Sequence, residues 1–221
     1  IPLRLVGSEM CIRDRFKIEG RLKDVGYIKN VVAYYRREVD AALAGRPHLR
    51  RASAGESIPD FTPDTAKSFT RGESEYFFAG KRPGVASFDT PKAVGEYVGR
   101  VVRVEKNRFR LDRGGLLAAG DGICFLTDRG FAGTNVNAAD GDCVTPNRME
   151  GIVPGTEVYR NYDHRFNQLL SRSRTRRVIP ASVLVEATAG GVRFSYTDCE
   201  GVTASAARSV ALERAKNAAA N

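Results

Sequence analysis

The sequence predicts an α+β fold: a strand–helix unit, a small β-barrel, and the start of a further β-rich module. Three observations carry this. Val25, Ile28, Val32, Tyr35 and Val39 recur at steps of 3 and 4, which places them on one face of a helix. From Gly95 onward, short apolar runs alternate with Gly- and Asn-bearing turns, the pattern of short antiparallel strands. Further on, the runs 178–187 and 191–197 flank Ala189-Gly190-Gly191 as the arms of a hairpin flank its turn.

Residues 1–15 fit none of these patterns. They hold no sustained period of 2 or 3.6 and look like a translated sequencing adapter, so they are expected to be a non-native run. Over 16–45, Phe16-Lys17-Ile18 is expected as a short strand and Glu19-Gly20-Arg21 as the turn out of it. Asp24 suits the N-cap of the helix that follows, and Gly45 and Pro47 stop that helix. Such a βα unit, taken alone, leaves its apolar stripe uncovered. Residues 46–92 contain Pro47, Pro59, Pro63, Pro83 and Pro91 and are expected as an extended connector. Its aromatic pieces, Phe69 to Gly72 and Tyr76 to Gly80, are expected to pack on a neighbouring domain.

The barrel is expected over 93–170. Tyr97 to Val104 is a valine-rich strand, Lys106-Asn107 a turn, and Arg108 to Asp112 alternates so that Phe109 and Leu111 face inward. Gly120-Asp121-Gly122 turns into a strand at Ile123 to Leu126. Arg148 to Val153 and Glu157 to Arg160 are expected as two more strands around Pro154-Gly155, closing a small barrel. Asp163 caps a short helix ending near Leu170. The hairpin then opens the module at 171–221, with an Ala-rich tail from Ser205 that is helical at its end.

Composition bounds the function. The 221 residues are 42% hydrophobic and 28% charged, an ordinary globular balance. No apolar run approaches the ~20 residues of a membrane helix, so no membrane partner is expected and a cytoplasmic location is. Cys11, Cys124, Cys143 and Cys199 form no C-x-x-C pair and have only His48 and His164 beside them, so no metal site is expected. Cys124 lies in an apolar run as a small buried hydrophobe. His48 and His164 lack a recognisable nucleophile partner, and Asp121 and Asp128 read as turn residues. The net charge is +9, a sign that favours a polyanion, RNA above all. The candidate RNA contacts are Arg100, Arg103 and Arg108 in one basic stretch and Arg172, Arg174, Arg176 and Arg177 in another. Few aromatics stand among them, so weak binding by phosphate contact is expected, with no DNA specificity.

The run Phe16-Lys17-Ile18-Glu19-Gly20-Arg21 is the most informative. It sets a carboxylate and a guanidinium at the C-terminal end of the expected strand. In parallel α/β barrels that end carries the active site, so Glu19 and Arg21 are the candidate catalytic residues; an ion pair fixing the turn is the alternative. Continued through Tyr27 and Tyr34-Tyr35-Arg36, the run resembles the signature of peptidase family U32, the collagenase-like proteases. Ser68-Phe69-Thr70-Arg71-Gly72, Gly95-Glu96-Tyr97-Val98-Gly99 and Val158-Tyr159-Arg160-Asn161-Tyr162-Asp163 resemble later landmarks of the same family in the same order. Asp24 and Gly26 depart from the usual pattern.

The resemblance implies that 16–45 is the last βα unit of a TIM-type barrel, and that the chain is a C-terminal fragment of a U32 peptidase, inactive alone, with its own missing barrel as a partner. Some members act in RNA hydroxylation, which implies the alternative of an RNA-binding accessory region. Some carry an iron–sulfur cluster whose cysteines lie upstream of the Phe16–Arg21 run, so no cofactor is expected here and a cluster only in an intact parent.

Overall fold

The computed structural model describes residues 17–51, 54–74, 80, 86–88 and 90–211. In chain order the elements are α1 (Val25–Ala44), β1 (Glu56–Ile58), a 3-10 turn (Thr65–Lys67), β2 (Glu96–Val104), β3 (Phe109–Leu111), β4 (Gly122–Thr127), β5 (Gly130–Asp140), β6 (Cys143–Pro146), β7 (Glu157–Tyr162), α2 (His164–Arg172), β8 (Arg176–Val178), β9 (Ala181–Thr188), β10 (Gly191–Asp198) and β11 (Thr203–Ser209). The described chain is mostly β, with two α-helices and a closed six-stranded barrel. It divides into two compact units, one of residues 1–45 and 59–174, the other of 46–58 and 175–221.

In the first unit Asp24 caps α1, its Oδ1 accepting the Tyr27 amide at 2.7 Å, and Gly45 ends the helix. The apolar stripe is exposed: Val25 keeps 68% of its surface, Ile28 43%, Val32 46% and Tyr35 48%. The packed face carries Asn30 and Val31 instead. Asn30 Nδ2 donates to the Asp64 carbonyl and to Ser68 Oγ, each at 2.6 Å, and its Oδ1 accepts the Asp64 amide at 2.8 Å. All three bonds pin the 3-10 turn to the helix. Lys29 Nζ donates to the carbonyls of Leu170 and Ser173 at the end of α2, groups a helix C-terminus leaves unpaired. Phe61, Phe166 and Leu170 form a small core there with Ala33.

The strand expected at 16–18 is not seen. Lys17 to Gly20 has no strand pairing, and Phe16 lies outside the described residues. A strand exists only with a neighbour to complete its ladder, and none is present among the described residues. Residues 1–15, the aromatics Tyr76 to Phe78 and the end of the Ala-rich tail also lie outside them. The part of that tail from Ser205 to Ser209 is strand, paired along β10.

The barrel runs β2-β3-β6-β5-β4-β7 and closes by β7 pairing with β2, all antiparallel. Ten buried residues fill it: Val98, Val101, Phe109, Leu111, Ile123, Phe125, Val136, Val144, Ile152 and Val158. Phe109 and Leu111 point inward as their alternation predicts. Register shifts at Tyr97/Gly99, Val101/Arg103, Gly122/Ile123 and Val136/Ala138 mark bulges, which let short strands turn the corners of a small barrel. At Gly95, φ is +78° and a Cβ would stand 2.0 Å from the Arg160 carbonyl oxygen, so the start of β2 admits only glycine. Arg148 to Val153, expected as a strand, forms turns instead: the Arg148 amide donates to Thr134 Oγ1 and the Ile152 amide to the Met149 carbonyl.

In the second unit β1 pairs with β8, and β9, β10 and β11 form a meander in the order β11-β10-β9. Every residue of β11 and all but the last of β9 are exposed.

Candidate nucleic-acid interface

Glu19 and Arg21 are both exposed. The Glu19 carboxylate accepts the backbone amide of Arg21 at 2.9 Å, a local turn contact that holds the lead-in to α1. Beside them an open cleft of about 830 Å³ is lined by Lys17, Ile18, Tyr27, Tyr34, Tyr35 and Glu73 among others. Lys23 Nζ stands 3.1 Å over the Phe69 ring at the same end of the helix, a cation–π contact. Phe69, from the second landmark motif, thus packs back on the head of α1.

The basic stretch from Arg100 to Arg113 is largely paired along the barrel. Arg100 meets Glu157 at 2.7 Å and Arg110 meets Asp142 at 3.0 Å. Arg108 donates to Glu105. That hydrogen bond, with the charges of Arg108, Arg103 and Arg110, holds the Glu105 carboxyl below its ordinary range. Arg113 lies 5.4 Å from the Tyr97 ring. Arg103 is more open than Arg100, Arg108 and Arg110, 72% exposed with its Glu105 contact at 3.8 Å. The second group is divided between the two units. Arg172 and Arg174 belong to the first unit and Arg176 and Arg177 to the second, and Arg177 donates to the Ala54 carbonyl.

Two positive residues that charge clustering does not reveal stand apart from these pairs. Arg129 and Arg148 are exposed and form no ion pair among the described residues. Both line a cleft of about 430 Å³ at the β4–β5 hairpin, with Phe125, Phe131, Asp128 and Glu150. Arg148 also lines a neighbouring cleft of about 290 Å³.

A buried ion network joins β2, β7 and the start of α2. Arg160, 7% exposed, meets Glu96 at 2.7 Å, Asp163 at 3.2 Å and Asp121 at 3.4 Å and donates to the Leu116 carbonyl at 2.6 Å. Asp163 also pairs with Lys67 and caps α2 through the Phe166 amide at 2.8 Å. Burial pushes the Asp163 carboxyl up, but the Phe166 amide, Arg160 and Lys67 together bring it below its ordinary value. Asp121 is fully buried and accepts the Ala118 and His164 amides, so it knits loop, strand and helix rather than only forming a turn. The Val158–Asp163 motif is therefore a structural joint. It reaches strands β2 and β7 and the start of α2.

Cys124 is buried, its Sγ 3.3 Å from the Val94 carbonyl, and burial raises its thiol pKa to about 11. It is an inert packing residue at neutral pH. His164 shares a contact with Gln168 and no nucleophile. Among the described residues no three His, Cys, Asp or Glu side chains converge to hold a metal ion. Nor is any helix among them long and apolar enough to cross a membrane.

The family model for peptidase family U32 matches residues 9–86. That span takes in the Phe16–Arg21 run, α1 and the Phe69–Gly72 motif, and it begins inside the run 1–15. Over that span the chain is similar to peptidase family U32. A curated relative in Escherichia coli K12, the 23S rRNA 5-hydroxycytidine C2501 synthase, is 34% identical over 212 residues. The match takes in 92% of this chain and 32% of that protein, so the chain spans about a third of its relative's length. No solved structure matches it.

Proposed function

We propose that this chain is an RNA-binding accessory region of a cytoplasmic U32 protein that hydroxylates RNA. The observation that carries this reading is the 34% identity, across 92% of the chain, to a protein named for making 5-hydroxycytidine in 23S rRNA. The positive balance of +9 agrees with a polyanionic partner. Peptidase chemistry gains no such support. Neither His48 nor His164 meets a Ser or Cys nucleophile among the described residues, and Cys124 is held as a thiol.

In this reading Arg103, Arg172, Arg174 and Arg176, all exposed, contact phosphates without reading sequence. Arg100 and Arg108 contribute less because each already has a carboxylate partner. The exposed stripe of α1 docks against a TIM-type barrel domain of the whole protein. Glu19 and Arg21 then stand at the end of that barrel where chemistry occurs. Any cofactor belongs to that domain. The test is fluorescence polarisation of a labelled RNA strand with the purified chain at several salt concentrations. Binding at low salt that falls steeply as salt rises is expected. No binding at the lowest salt would overturn the reading.

A further inference from the structure

We infer that the face of the barrel formed by β5, β4 and β7 is the site that holds a single-stranded RNA segment, and that it meets unpaired base edges through asparagine side chains. This rests on the RNA-binding reading above and names a surface the basic clusters do not include.

The smaller cleft on this face is lined by Gly122, Asn135, Asn147, Arg148 and Asn161, with Gly133 and Thr134. Gly122 lies between Asn135 of β5 on one side and Tyr162 of β7 on the other in the strand register. Asn147 follows β6 and its amide donates to the Asn135 carbonyl at 2.8 Å, which brings the third asparagine to the same place. The floor is glycine for a steric reason. A Cβ at Gly122 would stand 2.8 Å from Asn161 Oδ1, and one at Gly133 would stand 3.2 Å from the Ile123 carbonyl oxygen. Both positions stay flat, so a planar group can approach the backbone.

None of the three asparagine side chains hydrogen-bonds another protein group among the described residues. Each carboxamide offers a donor and an acceptor side by side, the same pairing that base edges present. Arg148 stands where the two clefts join, since it lines both. With no carboxylate partner among the described residues, its guanidinium is available to a phosphate. Phe131 and Arg129 line the outer cleft, where an aromatic ring offers a stacking surface. Asp128 and Glu150 border that outer cleft too. They disfavour a phosphate there and confine it to the Arg148 end, while a carboxylate accepts readily from a base amino group. A duplex hides these base edges, so the cleft chemistry selects unpaired RNA.

The test uses the full chain and fluorescein-labelled RNA in two forms, one single-stranded and one duplex, read by fluorescence polarisation at fixed salt. Wild type should prefer the single strand. Arg148→Ala, and separately the double substitution Asn135→Ala with Asn147→Ala, should each weaken it by about tenfold. Lys106→Ala, at a residue that lines neither cleft, should weaken it by about twofold at most. All four positions are exposed, and circular-dichroism melts check that the variants fold. Ultraviolet cross-linking of wild type, mapped by mass spectrometry, should place RNA on residues 129–135 and 147–148, and it decides the matter should a variant fail to fold. If wild type binds no RNA, the proposed function itself fails. If wild type binds but the cleft variants bind equally well, or cross-links fall elsewhere, the proposed function stands and this site is wrong. Equal affinity for duplex and single strand would also overturn it.

Discussion

The barrel and the C-terminal meander are both antiparallel sheets, yet sequence hydrophobicity orders them the wrong way round. The meander strand β9, Ala181–Thr188, contains Val183, Leu184 and Val185 in succession, exposed by 51%, 58% and 57%. The barrel strand β5, Gly130–Asp140, is rich in Gly, Asn, Thr and Ala and buries only Val136, yet it pairs on both sides and helps enclose ten core residues. Closure decides burial. A strand with two neighbours in a closed barrel needs few apolar side chains, whereas a three-stranded sheet leaves its apolar residues exposed until something covers it. A barrel braced from within can carry polar groups on its outer face.

This contrast makes graded predictions for stability, all readable by chemical denaturation. The largest loss should come from Phe109→Ala, which empties the centre of the barrel core and should cost about 3–5 kcal/mol. Gly95→Ala should cost about 3 kcal/mol, because it combines a left-handed backbone with a contact against the Arg160 carbonyl. Asp163→Asn should cost about 3 kcal/mol at neutral pH by leaving Arg160 and Lys67 short of a charge. This last effect carries a pH signature. The folded-state pKa of Asp163 is depressed, so its contribution is present above the ordinary aspartate value and is lost as pH falls through the lower folded value. The gap between wild type and Asp163→Asn should therefore close in acid. The smallest effect should be Leu184→Ala in the meander, within about 0.5 kcal/mol. A large loss there would mean that the meander is covered after all.

Much of the fold was legible. Asp24 and Asp163 announced their helices, and Phe109 and Leu111 their inward face, because capping and alternation are local signals. Strands β5 and β6 were not legible: Thr134, Asn135, Asn137 and Ala138 show no apolar alternation, and their pairing is dictated by neighbours far along the chain. Arg148 to Val153 misled by its apolar residues, since Ile152 enters the core from a turn. Asn30 gives no sign of its role in the sequence, because a buried amide on a helix has no sequence signature, although its three bonds fasten the 3-10 turn. At the candidate interface, charge clustering drew attention to Arg100 and Arg108, which carboxylates more than 50 residues or only three residues away already occupy. Arg129 and Arg148 are isolated in sequence, and only strand pairing brings Arg148 beside Asn135 and Asn161.

Hydrogen exchange followed by mass spectrometry, run on the full chain with and without a single-stranded RNA, tests the central claim most directly. Without RNA, amides of β2 to β7 should exchange slowly and those of β9 and β11 quickly, as closed and uncovered sheets should. Added RNA should slow exchange further at 129–135 and 147–161 and leave β9 to β11 unchanged. Protection by RNA confined to β9 to β11, or none anywhere at low salt, would contradict the account.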